Sequence, residues 1–224
     1  MEKIGILWDL DGTIVNSVDL YYAPYPRVFE KYGLGPVPVT KQQYKERFFG
    51  AAVEYFFQNN LSTPVSEEQM IAMKWDYLRF ADEFLQTSET GGVTMIPGVD
   101  RVLDAFYDKG YPMAIASTSW MPTVVHTLER IGYLTKFANI SSGNLLPSKP
   151  APHVFRIAAE MINIPPERCV VFEDSLAGMK GAKNAGMKCV GINTSVPVSK
   201  MVDADIRLNS YDELSIREVE ALFD

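Results

Sequence analysis

Asp9 and Asp11 stand two residues apart at the end of a short apolar run, residues 4–8. Two carboxylates this close repel each other, and holding both is costly unless a cation sits beside them. Gly12 lets the chain turn sharply and approach a ligand, and Thr13 can cap that turn. An Asp-Gly pair also ends strands for purely structural reasons, so the later polar clusters carry weight. Ser117, Thr118 and Ser119 follow the apolar run 113–116. Small hydroxyl residues just past a strand suit phosphate oxygens through their side chains and adjacent N–H groups, although they are also common caps. Lys149 lies in the stretch Ser-Lys-Pro-Ala-Pro. Its two prolines restrict the backbone and therefore where the ammonium points; a solvated loop lysine is the plainer alternative. Glu173 and Asp174 close the run 169–172. Consecutive acids at a buried strand end are expensive unless they bind a metal or cap the next helix.

The elements that must position these residues show in the hydrophobic pattern. Short continuous apolar runs recur at 4–8, 113–116, 137–140, 169–172 and 189–192, the mark of strands buried on both faces. Helical patterns separate most of them: 100–109, 124–130, 154–161, and 176–184 with Gly186 as its expected C-cap. Strands alternating with helices predict an α/β fold with a parallel sheet. In such sheets ligands bind at the carboxyl ends of the strands, where the polar clusters fall. Residues 17–92 differ, with no buried-strand run. Thr40 with Gln43, and Ser66 with Gln69, have capping-box spacing. Aromatic and apolar residues follow at helical spacing: Tyr44, Phe48, Tyr55 and Phe56, then Met73, Tyr77, Phe80 and Phe84. This segment reads as a small helical domain inserted after the first strand, with Gly91 and Gly92 as a hinge back.

Composition narrows the function classes. The 224 residues are 47% hydrophobic and 22% charged, as in a soluble globular protein. Net charge is −7 with no run of Lys and Arg, so no nucleic-acid partner is expected. An acidic protein that handles phosphate must build positive potential locally, from a metal, a lysine and backbone N–H groups. Cys169 and Cys189 read as buried small hydrophobes in a reducing compartment, without zinc spacing. No segment approaches the roughly 20 apolar residues that span a bilayer, so a cytoplasmic protein with no membrane partner is expected. His126 and His153 read as packing or surface residues, and Trp8 and Trp75 as core. Trp120 could line a site entrance.

Taken in order, Asp9-Leu10-Asp11-Gly12-Thr13, Ser117, Lys149-Pro150 and Glu173-Asp174 resemble the four signature motifs of the haloacid dehalogenase superfamily, over the whole chain. Pro97-Gly98-Val99 and the stretches after Lys149 and Glu173 resemble in particular the β-phosphoglucomutase-like and phosphoglycolate-phosphatase-like subgroup. The resemblance implies a Rossmann-like core from residues 1–16 and 93–224, with a helical cap from 17–92 that closes to exclude water. It implies that Asp9 attacks phosphorus and that Asp11 serves as acid and then base. It implies that Ser117 and Lys149 hold the phosphoryl oxygens, with Gly12, Thr13, Thr118 and Ser119 around them. Mg2+ would be bound by Asp9, the Asp11 carbonyl and Asp174, with Glu173 binding directly or through water. Family dehalogenases typically lack the second Asp, so Asp11 favours phosphate chemistry. Asn16 replaces an Asp frequent in relatives, at the hinge rather than in the chemistry.

A mutase of this subgroup carries an Arg soon after a cap glycine and an early cap His. Here Gly50 is followed by Ala51, Ala52, Val53 and Glu54, and the early segment reads Asp19-Leu20-Tyr21-Tyr22; Lys45 or Arg47 could reach the site instead. The expectation is a magnesium-dependent phosphatase for a small phosphorylated metabolite, acting as a monomer. A β-phosphoglucomutase-type isomerase is the alternative, and a non-catalytic phospho-ligand binder the third reading.

Overall fold

The structure, a computed structural model, describes residues 3–143 and 146–224. It divides into two compact units: residues 1–16 with 95–224, and residues 17–94.

The first unit is built on strand β1 (Gly5–Trp8), whose four residues are all buried. Side chains alternate across a strand, so Ile6 and Trp8 enter one apolar cluster while Leu7 enters another. Two short strands follow in chain order, β2 (Val15–Asn16) and β3 (Thr94–Met95), which pair as a separate two-stranded sheet. The main sheet adds β4 (Met113–Ser117), β5 (Asn139–Ser142), β6 (Cys169–Glu173), β7 (Lys188–Ile192) and β8 (Ile206–Leu208). Its order is β5-β4-β1-β6-β7-β8, and every pairing is parallel. β1 sits between β4 and β6, with Leu7 opposite Ala114 on one side and Val171 on the other. The carboxyl ends of these three strands therefore lie side by side.

Helices cover both faces, as parallel sheets require. Numbered in chain order, α1 to α5 belong to the second unit, described below, and α6 to α10 to this one. α6 (Val99–Asp108), α7 (Met121–Arg130) and α10 (Ile216–Glu220) pack on the Trp8 face. There Trp8 stacks on Phe172 at 4.0 Å between ring centroids, with Phe106 edge-on to both. α8 (His153–Met161) and α9 (Leu176–Ala185) pack on the Leu7 face through Phe155, Ala158, Met179 and Ala182. α9 ends, as its sequence predicts, at Gly186 in the left-handed conformation.

The second unit is helical: α1 (Val18–Tyr22), α2 (Pro24–Lys31), α3 (Lys41–Arg47), α4 (Val53–Asn60) and α5 (Glu67–Thr87). Its core is aromatic, with Tyr25 stacked on Phe56 at 3.7 Å and edge-on to Phe57.

Several expectations shift. Thr40 and Gln43 complete the capping box that opens α3, but Ser66 opens α5 with only its half, accepting from the Gln69 N–H. Trp75 is 51% exposed rather than core. At 3.6 residues per turn, Met73 and Tyr77 share the buried face and residue 75 falls on the back. The apolar run 137–140 overlaps β5 only in part: the strand is 139–142, after a 3-10 turn at Leu134–Lys136. β5 is an edge strand and only partly buried, so its residues need not be apolar. β8, three residues at the other edge, carries too short a pattern to be read in advance.

Candidate active site

The site is assembled from three loops at the carboxyl ends of β1, β4 and β6, together with the loop that carries Lys149. Asp9 continues β1 by one residue, its N–H bonded to the Phe172 carbonyl at 3.0 Å. The chain then turns within five residues. The N–H groups of Thr13, Ile14 and Val15 all point to the Leu10 carbonyl, and the Gly12 N–H bonds to Val15 at 2.7 Å. Gly12 is required twice over. Its φ of +87° is left-handed, and a Cβ there would lie 2.0 Å from an Asp174 oxygen. The loops after β1 and β6 thus touch through a hydrogen atom where any other residue has a methyl group.

Asp9, Glu173 and Asp174 are all buried, and one carboxylate oxygen from each lies within 4.8 Å of the others. Lys149 bridges two of them, its ammonium 2.5 Å from Asp9 Oδ1 and 2.5 Å from Glu173 Oε1. The second Glu173 oxygen accepts from the N–H groups of Asp174 and Ser175, each at 2.9 Å, and from the Ser175 hydroxyl at 3.0 Å. Ser175 in turn caps α9 by accepting from Gly178. Gly178 has to be glycine, since a Cβ would run into the Glu173 carboxylate at 1.8 Å. The Thr13 hydroxyl lies between Asp9 Oδ2, at 3.5 Å, and Asp174 Oδ1, at 3.4 Å.

A second linked set surrounds Asp11. The Ser119 hydroxyl donates to Asp11 Oδ2 at 2.5 Å. Ser119 is held by its own N–H on the Ser117 hydroxyl at 3.0 Å, and by its carbonyl, which accepts from Ser142 at 2.7 Å. Ser117, the last residue of β4, is buried; Thr118 beside it is half-buried. Nine of the ten residues singled out in the sequence thus fall at these three strand ends, and Lys149 on the separate loop between β5 and α8. The N–H groups of Gly12 and Thr13 are taken up inside their turn, and the Ser119 hydroxyl is committed to Asp11.

Other participants were not singled out. The Thr194 hydroxyl donates to the Gly12 carbonyl at 2.5 Å, and Ser195 donates to Asp174 Oδ2. Tyr211, fully buried, donates to the Thr13 carbonyl at 3.1 Å. Thr194 and Ser195 follow the run 189–192, and inspecting the polar residues after that run, as after the others, finds them. Tyr211 carries no such signal.

The electrostatics follow from the count. Among the described residues, three buried carboxylates gather around one buried ammonium, a surplus of negative charge away from the surface. Burial pushes the Asp9 carboxyl well above its usual range; Lys149 opposes this, while Glu173, Asp174 and Asp11 add to it. Burial and then Glu173 push Asp174 up to about 7, against the Ser195 hydrogen bond and Lys149. Burial alone would lower the Lys149 pKa, but Asp9 and Glu173 outweigh it and hold the ammonium charged. A divalent cation would relieve that surplus. The donor set, all oxygen, suits a hard ion such as magnesium.

The parallel sheet, with acids and a lysine gathered at its strand ends, is that of an α/β protein, and comparison with known proteins supplies the family. Residues 6–192 match the haloacid dehalogenase-like hydrolase family. Hexitol phosphatase A of Escherichia coli (strain K12) is 23% identical over 216 residues, 96% of this chain and 95% of the relative. The β-phosphoglucomutase of Bacillus subtilis (strain 168) is 25% identical over 216 residues, 95% of this chain and 92% of the relative. Among solved structures, CbbY from Rhodobacter sphaeroides in complex with phosphate superposes with a TM-score of 0.80, at 23% identity over 96% of this chain and 97% of that one. That last likeness bears on the fold. The chain belongs to the haloacid dehalogenase-like hydrolase family, as its motifs implied, and is an enzyme of that family. Among the described residues, no helix is long and apolar enough to cross a membrane.

Proposed function

We propose that this protein is a phosphatase that hydrolyses a small phosphate monoester through a covalent intermediate on Asp9. The observation that carries the reading is the pair of carboxylates in unlike settings. Asp9 is buried against Lys149 and two further acids, while Asp11 is tied only two residues away to the Ser119 hydroxyl. One fits a nucleophile and the other an acid and base. Asp9 attacks phosphorus, the bond to the ester oxygen breaks, and Asp11 gives that oxygen its proton. Water then attacks the aspartyl-phosphate, Asp11 takes the water's proton, and Asp9 leaves with phosphate released.

Lys149 uses two of its three N–H donors on Asp9 and Glu173, leaving the third for a phosphoryl oxygen. Ser117 can donate its hydroxyl proton while its oxygen accepts from Ser119. Gly12, Thr13, Thr118 and Ser119 shape the seat around the phosphoryl group. Asp9, Asp174 and the Asp11 carbonyl would hold Mg2+, with Glu173 close by. When bound, the ion offsets the negative charge gathered on the phosphoryl oxygens. The remaining work is positioning and fixed electrostatics, as in other phosphoryl transfers. Residues 1–16 with 93–224 serve as the catalytic core, and 17–92 as the cap that selects the substrate, a sugar phosphate or a phosphoglycolate-like ester.

The test is phosphate release from a panel of phosphate esters with magnesium, comparing the native chain with Asp9→Asn. Asparagine keeps the shape and removes the nucleophile, so turnover should fall by roughly a thousandfold or more. The panel includes β-glucose 1-phosphate with a coupled readout of glucose 6-phosphate. Conversion to glucose 6-phosphate without free phosphate would replace hydrolysis with a mutase reaction. No turnover on any ester would favour a non-catalytic binder.

A further inference from the structure

The short turn after β7 reaches two parts of the candidate site at once. In the main sheet β7 pairs with β6, Gly191 opposite Glu173. The residues just beyond Ile192 are therefore carried beside the residues just beyond Glu173. The chain turns sharply there, with the Thr194 N–H on the Ile192 carbonyl and the Asn193 N–H on the Leu208 carbonyl, each at 2.9 Å. That turn aims two consecutive hydroxyls at two different loops. Thr194 donates to the Gly12 carbonyl in the loop that carries Asp9 and Asp11. Ser195 donates to Asp174 Oδ2 in the loop after β6.

The two oxygens of Asp174 are not equivalent. Oδ1 lies on the same side as Asp9 Oδ2, since one Thr13 hydroxyl is within hydrogen-bond reach of both. Oδ2 is confined between the Ser195 hydroxyl and the bare Cα of Gly12. A carboxylate held at only one oxygen can swing about its χ2, which is a soft torsion. Held at both, it presents Oδ1 toward Asp9 in a fixed orientation. Hydrogen-bonded partners of ligating carboxylates act in this way, and losing one typically costs 10–100-fold in metal affinity or activity.

We infer that Thr194 and Ser195 form a clamp that positions the metal-binding face of this site, Ser195 by orienting the Asp174 carboxylate and Thr194 by fixing the Gly12 carbonyl. The inference rests on the reading of Asp9, Glu173 and Asp174 as a magnesium site. Neither residue touches the reacting atoms; both are positioning residues. Ser195 is exposed at the surface, so its replacement does not open the core.

The experiment follows the rise in melting temperature with magnesium, without substrate, for the native chain, Ser195→Ala and Ser195→Thr. A ligand that binds only the folded state stabilises it by mass action, increasingly once its concentration exceeds Kd, so the magnesium concentration at which the rise sets in reports affinity. The expected result is an onset at about tenfold higher magnesium in Ser195→Ala, largely restored in Ser195→Thr, which keeps the hydroxyl. In turnover, the deficit of Ser195→Ala should shrink as magnesium is raised. A magnesium response in the native chain that Ser195→Ala shares unchanged would overturn the clamp alone, even if its melting temperature without metal were lower. No magnesium response in the native chain would overturn the metal reading and the clamp with it.

Discussion

At the scale of single residues, Gly12 shows how tightly the two acid-bearing loops meet. Its backbone is left-handed and its Cα rests against Asp174. Alanine there meets both a conformational penalty, about 1 kcal/mol, and a contact that forces the carboxylate aside. Gly12→Ala is expected to cost at least that much stability, read as a lower urea midpoint. It should also weaken the magnesium-dependent rise in melting temperature, because Asp174 cannot keep its place. A variant with native stability and an unaltered magnesium response would show that Asp174 has room to move. Lys149 illustrates the complementary point. One ammonium answers Asp9 and Glu173 together, and lies 4.9 Å from the centre of the Phe155 ring.

At the scale of elements, α5 of the helical unit carries a charge network that can be read through its pH dependence. Asp76 accepts from Lys31 at 2.5 Å, Tyr32 at 2.8 Å and Arg79 at 3.0 Å. Burial by itself would raise its pKa, but these partners outweigh it and hold the carboxyl at about 2. An unfolded Asp titrates near ~3.9. The folded value is depressed, so the contribution is fully present above the unfolded pKa and is lost as pH falls through about 2. Asp76→Asn should therefore melt below the native chain at pH 6, with the gap closing as pH approaches 2. Lys31 and Arg79 are about half exposed, so the gap at pH 6 should be small and should narrow further in high salt. A gap that widened on acidification would contradict the assignment of Asp76 as the responsive group.

For the molecule as a whole, the first unit depends on its two-faced sheet. Phe172 links the site to the core: it stacks on Trp8, meets Phe106 edge-on, and leads directly into Glu173 and Asp174. Phe172→Ala removes a fully buried ring and should destabilise the protein by about 3–5 kcal/mol. Because Trp8 stacks on that ring, its near-ultraviolet circular dichroism should change with the substitution. A cost below about 1 kcal/mol would mean that the neighbouring rings collapse into the space.

The sequence alone determined the alternation of buried strands and helices, the helical character of 17–92, and the ordered set of motifs. These signals are local. A strand buried on both faces must be apolar throughout, a helix must repeat its apolar face every 3.6 residues, and acids at a strand end stand out against such runs. Trp8 was legible as core for this reason. Trp75 was misread because its exposure depends on the exact phase of α5, which the aromatic content of the segment hides. The half-formed box at Ser66 depends on where the Gln69 side chain turns, which spacing cannot decide. Only the tertiary structure decided that Lys149 bridges Asp9 and Glu173 across separations of 140 and 24 residues. The same holds for Ser119 on Asp11, for the approach of Gly12 to Asp174, and for Thr194 and Ser195 reaching back to both loops. Those contacts arise because parallel pairing in the order β4-β1-β6-β7 sets distant strand ends side by side, and register between strands is a property of the assembled sheet rather than of any one stretch of chain.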